Sequence, residues 1–373
     1  MAEAGTRVAH VLVVPDDVTY DEVVALAGCV FVGARPLDDD GEPVAAGGTR
    51  AAALVGTRAA VSDDTAPDDT GNDAPTTLRL SRHSQLSGPW HPAAAPAEVT
   101  EALAEVGAET TGRLLYVART LRERTAPVPF RTGDRDGLRR TFHLGAPDRE
   151  EGRVVTWLVA AARRLTGSLV LDVAPRGAQV TRSRLVPDPS VDTDLTLVSD
   201  VWLTPQAALA LARQVHPHAE LGATGFEWDG PPPSASSAST SPASTGGVDH
   251  DALDETDLRA LAAPPPLEGY AVVLPVTAED PVAGTVAVEV TGIATPPPAL
   301  RRLAWLAGGG VQYALRWYPF DDEAAHRERP SAAVRLARRE AAALVVALAR
   351  ALHPAVGGEV LDQPGFPVDV RDL

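Results

Sequence analysis

RVAHVLVVPDDVTYDEVVALAG, residues Arg7–Gly28, sets the pattern for the chain. Its first nine residues form an almost unbroken apolar run closed by proline, the signature of a strand buried on both faces. Thr19 and Glu22 then stand three apart, the spacing at which a threonine hydroxyl and a glutamate carboxylate cap a helix start reciprocally. A buried strand running into a capped helix predicts a β-then-α unit, and so a fold mixing both element types.

Working outward, TTLRLS (Thr76–Ser81) reads as a strand, and AEVTEALAEVGAETTGRLLYVARTLRER (Ala97–Arg124) reads as one or two helices by apolar recurrence at three and four residues. GRVVTWLVAAARRL (Gly152–Leu165) is helical and GSLVLDV (Gly167–Val173) a strand. Farther on, YAVVLPV (Tyr270–Val276) and GTVAVEV (Gly284–Val290) suggest an antiparallel pair. PPALRRLAWLA (Pro297–Ala307) reads as a helix and VQYALRWYP (Val311–Pro319) as a strand. Ser331 opens a long helix directly after Pro330. On it Val334, Ala337, Ala341, Leu344, Leu348 and Leu352 form a packing stripe, with Arg335, Arg338 and Arg339 on the wet side.

PPPSASSASTSPASTGG (Pro231–Gly247) lacks any large apolar residue and cannot offset the entropy of being ordered. It divides the chain into an N-terminal α+β domain (1–230), a disordered Pro/Ser/Ala-rich linker (231–266) and a C-terminal α+β domain (267–373) ending in the long helix. SDDTAPDDTGNDAP, within about 62–76, reads as an acidic surface loop without the terminal glutamate of a calcium loop. The expected fold class is therefore α+β, two α/β-type sandwich domains, possibly related halves.

Relatedness rests on internal similarity. ALARQVHP (Ala210–Pro217) returns as ALARALHP (Ala347–Pro354), and AARRLTGSLVLDVAPRG (Ala161–Gly177) shares its strand ending Leu-Asp, then proline and glycine, with EVLDQPG (Glu359–Gly365). Proline cannot continue a helix, and a histidine in the last turn complements the free carbonyls there, so His216 and His353 read as helix terminators. The second copy has Ala355 where the first has His218. The His-x-His spacing of His216 and His218, with Glu220 nearby, therefore reads as a helix end and not as a metal site.

Composition excludes much chemistry. There is no lysine, so all 33 basic residues are arginine; Asn72, Ile293 and Met1 are the single members of their types, which points to a very GC-rich coding sequence. Lysine Schiff-base catalysis and a Walker phosphate loop are excluded. Cys29 is alone in the apolar LAGCVFV, reads as a buried thiol, and suits a reducing, cytoplasmic setting. A formal charge of -17 argues against nucleic acid as a partner, and no apolar run approaches the ~20 residues of a membrane span.

Residues with a possible site role each have a plainer reading. LAGGGVQ (Leu306–Gln312) runs from helix through glycines to strand, the wrong order for a phosphate-binding loop. Asp172 and Asp362 follow apolar strands, where catalytic acids often sit, yet each precedes turn residues. Asp188, Asp192 and Asp194 crowd one loop and read as solvating it. Trp157, Trp202, Trp228, Trp305 and Trp317 lie at element edges, as core and rim or as an aromatic binding surface. No nucleophile elbow, HExxH helix or dinucleotide fingerprint occurs. The sequence thus predicts a bacterial, non-catalytic binding or assembly module with no metal or cofactor and an unidentified protein partner. The alternative is a hydrolase or transferase using dispersed carboxylates and arginines.

Overall fold

The computed structural model describes residues 6–37, 75–127, 134–173, 181–222, 269–277 and 283–373. The expected linker, nearly all of the expected acidic loop, and Trp228 lie outside them.

The first body opens as the sequence dictates, with β1 (Arg7–Pro15) running into α1 (Tyr20–Val30) through a complete Thr19/Glu22 capping box. It continues through β2 (Arg35–Leu37), β3 (Thr76–Arg79), β4 (Gln85–Trp90), α2 (Ala97–Glu105), β5 (Arg113–Leu121), α3 (Leu138–Thr141), α4 (Arg149–Arg164), β6 (Ser168–Asp172) and β7 (Arg182–Leu185). The strands form a seven-stranded sheet in the order β2-β3-β4-β5-β1-β6-β7, with every neighbouring pair antiparallel. The expected helical reading of Ala97–Arg124 holds only to Glu105. Gly107 and Gly112 then take positive φ (59° and 63°), and Arg113–Leu121 is a central strand. A strand buried on both faces has an apolar run without alternation, which periodicity cannot tell from a buried helix.

The second body comprises β8 (Leu195–Ser199), α5 (Pro205–Val215), β9 (Glu220–Leu221), β10 (Gly269–Pro275), β11 (Thr285–Ile293), β12 (Gly310–Tyr318), α6 (Asp322–Ala325), α7 (Ala332–Val356), β13 (Glu359–Asp362) and β14 (Pro367–Val368). Its sheet runs β14-β13-β8-β12-β11-β10-β9. Tyr270–Pro275 and Thr285–Val290 pair antiparallel, as their sequence suggests. Pro297–Ala307, expected as a helix, forms only two short 3-10 turns, Pro298–Leu300 and Ala304–Leu306. The expected boundary at the serine-rich segment is displaced: β8, α5 and β9 precede that segment yet belong to the second sheet, in which β8 is flanked by β12 and β13. The sheets divide the chain between β7 and β8.

Both bodies follow one plan, β-α-β-β-β-β-α-β-β with short helical insertions, and the second strand order is the first with each strand replaced by the one seven places later. The register agrees as well. Leu12 stands opposite Tyr116 in the β1–β5 ladder, and Leu197 stands opposite Tyr313 in the β8–β12 ladder. From those anchors the chain runs in step without insertion through both helices, which bury Val23 and Ala27 in one and Ala208 and Ala212 in the other. Thr19 and Thr204 cap them; Phe31 and His216 close them in extended conformations. A Cβ on Gly167 would come 2.5 Å from the Val13 carbonyl, and one on Gly358 would overlap the carbonyl of Val198, the residue in Val13's register position. Thr166 and Gly357, each just before these glycines, both have positive φ.

The repeat expected from sequence does not follow this correspondence. ALARQVHP and ALARALHP both lie in the second body, so they do not relate two halves. His216 does terminate its helix, whereas α7 continues through His353 and Pro354 and stops at Gly357. The Leu-Asp match is one residue out of register: Leu169 stands opposite Leu12 and Val360 opposite Leu197, which makes Gln363, not Asp362, the counterpart of Asp172. A one-residue slip exchanges the faces of a strand.

Helices cover one face of each sheet. Leu12, Tyr116, Leu169 and Leu171 pack with α1 and α4, and Leu197, Tyr313 and Val360 pack with α5 and α7. On the opposite faces Val13 and Val170 meet α2, while Val198 and Leu361 meet the 3-10 turns. The bodies are joined where α1 meets the Pro298–Leu300 turn and where Phe366, from the β13–β14 connection, enters the first body's core with no exposed surface. Arg140 and Glu328 add a two-pronged ion pair across the junction (2.8 and 2.9 Å).

Candidate binding surface

The residues singled out from sequence do not converge. Asp172 accepts a hydrogen bond from Arg122 (2.7 Å) through its carboxylate and one from Arg124 (2.7 Å) through its carbonyl, while its N–H donates to His10 Nδ1 (3.3 Å). His10 Nε2 lies 3.3 Å from Glu151, and both side chains are fully buried. Burial alone would push the Glu151 carboxyl up, but contacts from His10 and Arg124 outweigh it and hold it below the usual range. This polar knot ties β1, β5, α4 and β6 together, and sequence reading missed all of it except Asp172. Asp362 sits in the other body, accepting the N–H groups of Phe366 (2.7 Å) and Gly365 (2.9 Å) in a turn.

Cys29 is half-buried and not fully buried as expected; its thiol, which donates to the Ala25 carbonyl (3.2 Å), is pushed up to about 11 by burial and by Asp362. The rings of His216 and His218 lie 5.6 Å apart, and burial followed by His218's charge lowers the His216 imidazole. Among the described residues no group of three or more His, Cys, Asp or Glu could hold a metal, and no helix is long and apolar enough to cross a membrane. Asp188, Asp192 and Asp194 do not merely solvate their loop: Asp188 caps the 3-10 turn Pro189–Val191, Asp192 pairs with Arg163 (2.5 Å) and Arg135 (3.3 Å), and Asp194 accepts the Trp317 N–H (3.0 Å).

The tryptophans separate into two groups. Trp157 is fully buried at the middle of α4, not at an element edge, and Trp317 is half-buried with its indole N–H on the Ala283 carbonyl (2.9 Å). Trp202 and Trp305 are 37% and 38% exposed. Trp202 belongs to the loop between β8 and α5, in which Val201 and Leu203 are each held through both backbone groups. Ser199 Oγ accepts the Val201 N–H (3.0 Å) and donates to the Val356 carbonyl (2.6 Å). Tyr313 accepts the Leu203 N–H (2.9 Å) and donates to the Val201 carbonyl (2.7 Å), and Tyr270 donates to the Leu203 carbonyl (2.8 Å). The Tyr270 ring meets Trp202 edge-on at 5.8 Å. These bonds fix the loop backbone at two positions and leave Val201 and Trp202 on the surface.

Beside it Asp200, Trp305, Gly358 and Glu359 line an open cleft of about 410 Å³. Burial pushes the Glu359 carboxyl up, opposed by the charge of His353. Neither Asp200 nor Glu359 forms an ion pair with any arginine among the described residues. A cleft lined by an indole and two carboxylates, neither paired with an arginine, is chemically suited to a guanidinium or ammonium group. The first body lacks this surface: Asp16 and Asp17 replace the exposed apolar pair, Ser168 stands where Glu359 does, and the Tyr116 hydroxyl has no hydrogen-bond partner. Comparison of the chain with protein-family models, with curated proteins and with solved structures returned no match.

Proposed function

We propose that this chain is a non-catalytic binding or assembly module, built from two copies of one structural plan related by tandem duplication, and that its second copy carries the partner surface. The observation that carries this reading is the loop Asp200–Leu203, held by hydrogen bonds from Ser199, Tyr270 and Tyr313 while it exposes Val201 and Trp202. Preorganised, exposed aromatic side chains are what binding surfaces use, because little conformational entropy is lost on contact. The same strand order and the same buried glycine contacts support the duplication.

The partner is a basic protein segment. Asp200 and Glu359 beside Trp305 supply the local charge, and the chain's net charge of -17 would steer a cationic partner toward it. A single cysteine with a raised thiol suits work in the cytoplasm. Neither Asp172 nor Asp362 lines the cleft, so the alternative of a carboxylate-based hydrolase or transferase gains no support there. Titration of the full chain with an arginine-glycine peptide, followed by calorimetry, tests the reading. Saturable binding weakened about tenfold by Trp305→Ala or Glu359→Gln is expected, as for loss of one desolvated cation–π or charge contact. Absence of saturable binding, or equal binding of a glutamate-glycine peptide, contradicts it.

A further inference from the structure

A second cleft, about 50 Å³, lies where the two bodies meet, and among its lining residues are Arg135, Thr193, Asp194, Trp317, His326 and Arg338. Arg338 was expected on the wet side of its helix, but its side chain is only 4% exposed. One of its terminal nitrogens, Nη2, donates to the Ala325 carbonyl (2.7 Å). The other, Nη1, is buried without a hydrogen-bond partner, and the nearest carboxylate oxygen, on Asp188, is 4.0 Å away. A buried guanidinium N–H left unsatisfied is strongly unfavourable unless something enters the space it faces.

The neighbouring acids are engaged elsewhere except at Asp188 Oδ2, which stands 4.0 Å from Arg338 Nη1. Asp192 bridges Arg163 and Arg135, Asp136 pairs with Arg163, and Asp188 accepts the Ser190 N–H (2.9 Å). Asp194 lines the cleft, with Oδ1 taken by the Trp317 N–H and the Thr193 hydroxyl (3.0 Å each). Arg135, supplied by the first body, faces Arg338 across the space, and the two cations repel. His326 at the rim is held by the Asp322 carbonyl (2.8 Å) and carboxylate (3.2 Å).

We propose that this junction cleft binds a small free oxyanion of phosphate size and charge, received by the unpartnered Nη1 of Arg338 and by the Arg135 guanidinium. Forked guanidinium donors from two sides match a tetrahedral oxyanion, and the volume admits a free ion but not a nucleotide. Because one arginine comes from each body, the ion would tie the bodies together. Burial, with the charge of Arg135 added, holds the Arg338 guanidinium below its ordinary range against the opposing charges of Asp188 and Asp192.

The test is calorimetric titration of the full chain with inorganic phosphate, at ionic strength matched with chloride, with Trp317 emission as a second readout. Saturable binding, matched by sulfate as an isostere and lost in Arg338→Gln, is expected. Arg338→Gln could disturb α7, so Arg135→Ala, at a partly exposed position, serves as the second variant and should weaken binding at least tenfold. No saturable heat or emission change up to tens of millimolar phosphate would overturn the proposal (order of magnitude for a weak specific site), as would binding unaltered in Arg135→Ala.

Discussion

At the scale of single residues, the most constrained positions are the two glycines that let a strand pass close to a helix end. Gly167 and Gly358 face the carbonyls of Val13 and Val198, and Gly358 also has φ of 86°. Neither can carry a methyl group without moving a central strand. Gly167→Ala and Gly358→Ala should each destabilise the fold by about 2–3 kcal/mol, measured as a shift in denaturant midpoint. A loss under about 0.5 kcal/mol at either site would remove the steric argument. Asp362 carries a different signal. Burial pushes its carboxyl up to about 6 from 3.8, despite the Phe366 N–H. The folded chain therefore holds that proton more tightly than the unfolded chain does, so this group favours the fold below the ordinary aspartate range and opposes it as pH rises through about 6. Asp362→Asn, which keeps an oxygen for the Phe366 N–H, should raise stability at pH 7 by about 2 kcal/mol and flatten the stability profile between pH 4 and 6. An unchanged profile would show the carboxyl to be better solvated than its burial implies.

At the scale of elements, the first helix of each body starts at a threonine whose hydroxyl accepts an N–H of the first turn, from Glu22 in one and Ala207 in the other. Thr19→Ala and Thr204→Ala should each cost about 1 kcal/mol in chemical denaturation, with Thr19 the larger because its hydroxyl also donates to the Glu22 carboxylate (3.0 Å). These starts were legible because capping is local. So were β1, α4, β10 and β11, whose patterns or turn flanks declare themselves. Two kinds of element were not. β5 was read as helix because Leu114–Ala118 is buried on both faces and has no period to detect, and Pro297–Ala307 was read as helix because apolar spacing says nothing of whether a chain can continue through two prolines and a tight packing site. The candidate surface was half legible. Trp202 and Trp305 were among five tryptophans read as core and rim or as an aromatic surface, and the pinning of the Trp202 loop depends on Ser199, Tyr270 and Tyr313, which lie on three separate strands. Arg338 was misplaced because a helix stripe predicts what faces its own sheet, whereas the surface that buries this residue includes α6 and the segment before β8.

At the scale of the whole molecule, the internal match that looked best, ALARQVHP with ALARALHP, joins two helices of one sheet, so sequence comparison did not show the strand order the two sheets share. The two sheets correspond in register and buried position, through Leu12 and Leu197, Tyr116 and Tyr313, and Gly167 and Gly358. The bodies are also not independent, since Phe366 fills the first body's core from the second. Phe366→Ala should destabilise the chain by about 3–5 kcal/mol and separate one thermal transition into two; a single transition at the original midpoint would show that the bodies do not share that core. The central claim is that the second body begins at β8 and not after the serine-rich segment, with β8 as an interior strand between β12 and β13. Circular dichroism and urea denaturation of two fragments, 191–373 and 267–373, test it most directly. The account predicts that 191–373 unfolds cooperatively and that 267–373, without its central strand and α5, does not fold; a cooperative native-like transition in 267–373 would contradict it.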